Sequence, residues 1–198
     1  MIVVLGAPCS ESDVDGVVVA GGRAVAIARA AVAAGAVVEV AGRIGDDADG
    51  DAAVLDLGRR GIGHAALLRV GGLATPDVDE GAGTALAAAD VELALRYLPS
   101  YGVVVVTEDV DRGGIGAAAE VAAWAGAHLV VVGEGDEPIV GLPDASTVLV
   151  APQPADGEEQ GGAFASFVGA YAAAIDRGVD PGRAFADQAA IFNPERID

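Results

Sequence analysis

The chain contains no lysine: its 11 basic residues are all arginine, set against 30 aspartates and glutamates, for a net charge of −19 over 198 residues. So little positive charge leaves no basic stripe to follow a phosphate backbone, which argues against nucleic acid as a partner. The anionic face of a membrane is disfavoured on the same ground. Aromatic residues make up only 4% of the chain, so its core has to be built from Val, Ala, Leu and Ile. A single cysteine, Cys9, excludes an internal disulfide and a multi-cysteine zinc site. No run approaches the roughly 18 apolar residues of a membrane helix. The segment Met1-Ile2-Val3-Val4-Leu5-Gly6 lacks a basic leader region and reads directly as a strand, so the expected location is cytoplasmic.

What is present is apolar residues at 53% and 29 glycines, a composition that suits β-α-β units with closely packed helices. The length is that of one domain, 1–198, with no linker composition and no repeat. The acidity is read as a solubility device, with adaptation to a salty cytoplasm as one source and genomic base composition as another.

Short apolar runs predict strands at 2–5, 17–20, 37–41, 67–70, 103–106, 129–132 and 148–150. Helix-forming stretches predict helices at 23–34, 52–60, 90–97, 117–125, 162–177 and 181–190, the last opening on Pro181. The Gly-, Asp- and Pro-rich stretch 71–84 reads as a loop. Strands that are apolar throughout and alternate with helices predict a three-layer α/β/α fold around a mostly parallel sheet.

Residues 21–51, GGRAVAIARAAVAAGAVVEVAGRIGDDADGD, carry a Gly-Gly turn, a helix, a strand and a Gly42-Arg43-Ile44-Gly45-Asp46-Asp47-Ala48-Asp49-Gly50 loop. This order resembles the first signature of the ribokinase-like (PfkB) carbohydrate kinases. The stretch Gly161-Gly162-Ala163-Phe164, with Phe167, Gly169-Ala170 and Arg177-Gly178, resembles the helix after that family's Gly-Ala-Gly-Asp motif. The resemblance implies a ribokinase-like fold, a small-molecule ligand of sugar or nucleoside type, and, only where kinase activity is retained, ATP and Mg. It implies substrate-binding positions at Glu11, Gly21 and Gly22.

The chain departs from the pattern at the residues that do the chemistry. The catalytic aspartate falls on Gly162, and the anion-hole positions fall on Glu159, Gln160 and Gly161. A carboxylate at Glu159 repels a phosphate that a helix N-terminus would otherwise attract. The family's sugar-binding asparagines correspond to Cys9 and Ala26, and residues 12–20 are read as too short for the small lid sheet. The expectation is therefore a ribokinase-like homologue without its lid and without phosphotransferase activity, holding a small polar ligand or a protein partner. The alternative is an active sugar or nucleoside kinase whose base has moved to Asp156 or Asp144. Loss of the lid would uncover apolar sheet surface, which implies a homodimer.

Other candidates have plainer readings. Asp46, Asp47, Asp49 and Asp51 offer oxygens for a cation, but read first as a structural or solvated loop. Gly113-Gly114-Ile115-Gly116 reads as helix entry before phosphate binding. Glu108, Asp109 and Asp111 follow a strand's carboxyl end, where ligands bind in open α/β sheets, yet read as an acidic solvent-facing loop. His64 and His128 read as surface or capping residues, and Cys9 as a buried small residue. Trp124 and the Phe164, Phe167, Tyr171 stripe are assigned to the core.

Overall fold

A computed structural model describes residues 1–78, 85–133, 141–150 and 160–192. The chain alternates strands and helices: β1 (Ile2–Leu5), β2 (Cys9–Ser12), β3 (Val18–Gly21), α1 (Arg23–Ala33), β4 (Val38–Gly45), α2 (Ala48–Arg59) and β5 (Leu67–Val70). It continues through α3 (Ala88–Arg96), β6 (Val103–Val106), α4 (Arg112–Ala125), β7 (His128–Gly133), β8 (Ser146–Val150), α5 (Gln160–Asp176) and α6 (Pro181–Phe192). Six strands form one sheet in the order β5-β4-β1-β6-β7-β8, with every neighbouring pair parallel.

Parallel strands need crossovers, and the crossovers put helices on both faces. Alternate residues of β1 and β6 accordingly feed two cores. Ile2, Val4, Val103 and Val105 pack with Ala24, Ile27 and Ala28 of α1, Leu57 of α2 and Val168, Tyr171 and Ala172 of α5. Val3, Leu5, Val104 and Val106 pack with Val91, Ala94 and Leu95 of α3 and Ala118 and Ala122 of α4. Tyr171 is fully buried and Phe164 and Phe167 lie against the first core, as the stripe implied. Small residues let the layers approach closely. A Cβ on Gly169 of α5 would lie 2.6 Å from the Ile27 carbonyl oxygen and from Ala30 Cβ on α1.

Four expectations need correction. Residues 12–20 do hold part of a small sheet: β2 and β3 pair antiparallel, Cys9 with Gly21 and Ser12 with Val18. The turn between them is short because Asp13 Oδ1 accepts hydrogen bonds from Asp15 N and Val17 N, both at 2.9 Å. That Asx geometry closes a hairpin in few residues. The Gly42–Gly45 stretch is not loop but the end of β4, since Gly42 has no Cβ to strike the Gly6 carbonyl. Helix α4 starts at Arg112 rather than 117, because Asp111 Oδ1 accepts from Gly114 N at 2.7 Å and caps it. Trp124 is not core: its side of α4 faces away from the sheet and it is 90% exposed. Among the described residues no helix is long and apolar enough to cross a membrane.

Candidate functional site

Sheet order decides where the two halves of the chain part. From β1 the chain moves outward through β4 to β5, then returns to the other side of β1 with β6, β7 and β8. The loops leaving β1 and β6 therefore diverge at the carboxyl ends of the strands, where open α/β sheets form their ligand crevice.

Two loops build this crevice. After β6, Thr107 N donates to Leu5 O at 3.0 Å, locking the loop to β1. The Thr107 hydroxyl, almost fully buried, shares its proton between Leu5 O at 3.0 Å and Asp109 Oδ2 at 3.3 Å. Ala7 N donates to the same Asp109 oxygen at 3.2 Å. Asp109 is thus a fixed carboxylate, only 8% exposed, where the sequence pattern suggested a solvent-facing loop. Its partner lies 102 residues away, which no local pattern reveals. The neighbouring Glu108 pairs with Arg23 Nε at 2.5 Å, and the Arg23 guanidinium stands 6.0 Å over the Phe164 ring. Arg23 opens α1 and Phe164 lies early in α5, so the amino ends of both helices converge here.

The β2–β3 hairpin forms the wall beside them. Cys9 pairs with Gly21 across the hairpin, and a Cβ on Gly21 would lie 2.8 Å from Glu11 Cβ. Gly22 has φ +89 and ψ 167, a conformation reserved for glycine, and it caps α1 without a side chain. Glu11, Cys9, Gly21 and Gly22 are therefore brought together. Ala26 is not among them; it packs against the core on α1. The Cys9 thiol is pushed up to about 11, first by burial and then by the charges of Glu11, Asp109 and Asp77. Three carboxylates thus bear on one small volume, while Arg23 is already engaged by Glu108.

Helix α5 begins at Gln160, so Gln160 and Gly161 stand in its first turn. Gly162 is exposed, and a Cβ there would meet nothing within 4 Å. Glu159 and Asp156 lie outside the described residues. Asp144 precedes β8, at the amino end of a parallel strand, which places it at the opposite edge of the sheet from the crevice.

The remaining candidates have structural partners. Asp47 caps α2 through Gly50 N at 2.8 Å and also accepts from Thr75 N at 2.7 Å and Thr75 Oγ1 at 2.6 Å. Those hydrogen bonds hold its carboxyl below the usual range. Asp46 and Asp51 both bind the Arg69 guanidinium, at 3.1 and 2.6 Å. Among the described residues no group of three His, Cys, Asp or Glu side chains is placed to hold a metal ion. His64 Nδ1 lies 3.3 Å from Ile62 O. His128 Nε2 meets Thr147 Oγ1 at 3.0 Å, which in turn meets the Tyr171 hydroxyl at 2.8 Å, at the far end of the sheet.

The sequence matches no family model and no curated protein. Solved structures do match. A protein named Sa239 superposes with a TM-score of 0.70 at 14% identity, over 98% of this chain and 91% of its own. Ribokinase of Arabidopsis thaliana, solved with ribose and ATP, gives 0.64 at 13% identity, over 96% and 90%. The fold is ribokinase-like. Phosphofructokinase-2 of Escherichia coli, solved with fructose-6-phosphate, extends the likeness to a second sugar kinase, with 0.63 at 15% identity over 96% and 92%. At such identities the ribokinase-like likeness is one of architecture.

Proposed function

We propose that this ribokinase-like chain binds a small, uncharged polyhydroxylated ligand in the β1–β6 crevice and does not transfer phosphoryl groups. The observation that carries the reading is the fixed carboxylate of Asp109, joined by Glu11 and Asp77 around Cys9. Carboxylates accept hydrogen bonds from hydroxyl groups and do so strongly when desolvated. The same charges repel phosphate, and Arg23 at the mouth is taken up by Glu108. The sugar ligands of the Arabidopsis and Escherichia coli proteins make a sugar-like molecule the natural class to try first.

Loss of phosphoryl transfer rests on Gly162, which offers no proton acceptor where the resemblance places the base. An active kinase with a base at Asp144 is disfavoured by that residue's place at the amino ends of the strands.

The test joins two measurements on the intact protein. Coupled ATP turnover with a panel of sugars and nucleosides is expected to stay at background, while one or more neutral sugars raises the melting temperature. Asp109→Asn is expected to weaken that binding by about 10-fold, the scale of a charge-assisted hydrogen bond. Saturable turnover that Asp156→Ala abolishes would overturn the reading in favour of an active kinase.

A further inference from the structure

Helix α2 reaches the β2–β3 wall of the crevice by two routes. Asp56, in its third turn and only 8% exposed, accepts a hydrogen bond on Oδ2 from Ala20 N of β3 at 3.2 Å. The same oxygen accepts from Arg60 Nε at 2.7 Å. At the head of the helix, the capping carboxylate of Asp47 grips Thr75 through its amide and its hydroxyl. The next residue, Pro76, offers its carbonyl to Ser10 N of β2 at 2.8 Å and to the Ser10 hydroxyl at 3.2 Å. Both routes end on one cross-strand pair, because Ser10 stands opposite Ala20 in the hairpin.

Antiparallel ladders alternate between pairs that exchange hydrogen bonds and pairs whose amides point outward. Ser10 and Ala20 direct their N–H groups outward, to Pro76 and Asp56, so the hairpin's own ladder satisfies neither. Two strands of four residues are also too little to hold a shape alone. The hairpin therefore takes its position from what grips it. The neighbouring pair, Cys9 with Gly21, belongs to the crevice wall, and Gly22 follows at the head of α1. Arg60 lies four residues beyond Asp56 on the same helix, so that ion pair is local, whereas the bond to Ala20 spans 36 residues.

We propose that Asp56 is a positioning residue for the crevice: from α2 it holds the β2–β3 wall, so that Cys9, Gly21 and Gly22 stay where a ligand meets them. Its part in binding rests on the ligand reading above, but the held wall can be followed through Cys9 alone. The test measures the reaction of native Cys9 with the disulfide reagent DTNB at several urea concentrations below the unfolding transition. Asp56→Ala is expected to speed the reaction by about 10-fold or more, the scale of one buried hydrogen bond, at a rate that urea leaves unchanged. Independence of urea marks a local opening, which a merely structural loss of stability does not produce. Asp56→Asn keeps an oxygen for Ala20 N and should keep the slow rate. Arg60→Ala, which removes the local pair, should keep it too. Where a neutral sugar raises the native melting temperature, Asp56→Ala should also weaken its binding by about 10-fold, and Asp56→Asn should restore it. Should no sugar in the panel bind, the ligand reading fails by itself, and the thiol rates still decide for or against the held wall. An Asp56→Ala rate like that of the native protein, or one that climbs with urea in step with lost stability, would overturn the proposal. Equal acceleration by Arg60→Ala would overturn it as well, by tracing the effect to the ion pair.

Discussion

At Cys9, burial and charge act in the same direction. The thiolate would lose water on ionising and gain three carboxylate neighbours, Glu11, Asp109 and Asp77, so the proton is held to about pH 11 instead of 9.0. At pH 8 the folded protein then has about 100-fold less thiolate than the unfolded chain. A disulfide reagent such as DTNB is expected to react with the native protein at least that much more slowly than in guanidinium chloride, and Glu11→Gln to accelerate it. Reaction at the rate of a free thiol would show that the carboxylates do not converge there. The raised native value gives a contribution that is complete below pH 9 and lost as pH rises towards 11, so Cys9→Ala should flatten the alkaline limb of the melting curve. The sequence suggested a buried small residue at this position, and the structure agrees at 6% exposure. What it did not disclose was Asp109, because the Ala7 N–H that fixes this carboxylate comes from the loop after a different strand.

Elements were legible wherever local chemistry decided them. The β1, β5 and β6 runs coincide with the strands the sequence predicts, α1 lies between Gly22 and Gly35, and α6 opens on Pro181. Elements set by distant partners were not. Strand β2 is Cys-Ser-Glu-Ser, with no apolar alternation, and it exists because β3 pairs with it and Pro76 O accepts from Ser10 N at 2.8 Å. Helix α2 starts four residues early, at Ala48 instead of 52, because Asp47 caps it while also gripping Thr75. The α1–α5 contact is of the same non-local kind and can be tested with two glycines in one helix. Helix propensity alone would make alanine better than glycine by about 1 kcal/mol at either position. Gly162 has open space, so Gly162→Ala should leave the protein as stable or slightly more so. At Gly169 the new Cβ would press on the backbone of Ile27 and Ala31, which cannot rotate away. Gly169→Ala should therefore cost about 1–3 kcal/mol, the scale of overpacking, and displace Gly22 and Arg23 at the head of α1. Opposite signs in chemical denaturation are the expected result. Equal stabilisation by both substitutions would show that α1 and α5 do not touch as closely as described.

Across the whole molecule, the dominant electrostatic quantity to weigh against the local ion pairs is the surplus of negative charge, −19 over 198 residues. Ion pairs occupy several arginines: Arg23 with Glu108, Arg43 with Asp90, Arg60 with Asp56 and Arg69 with Asp46 and Asp51. With 30 acidic residues against 11 basic ones, carboxylates still far outnumber the arginines that could pair with them. Two effects of salt then compete. Screening weakens the exposed pairs, each worth about 0–1 kcal/mol. It also relieves repulsion spread over the entire surface, as the screening length falls from about 30 Å at 0.01 M to about 3 Å at 1 M. The second effect acts on a surplus of 19 charges and the first on a handful of pairs, so repulsion should decide the sign. Melting temperature is expected to rise steadily with potassium chloride, by a few degrees for each kcal/mol recovered in a chain of this length. Chloride is the right salt, because sulfate stabilises most proteins by exclusion from their surface and would hide the cause. A melting temperature that falls with chloride would mean that the arginine pairs outweigh the surplus, and that the acidity of this chain does not destabilise its folded state.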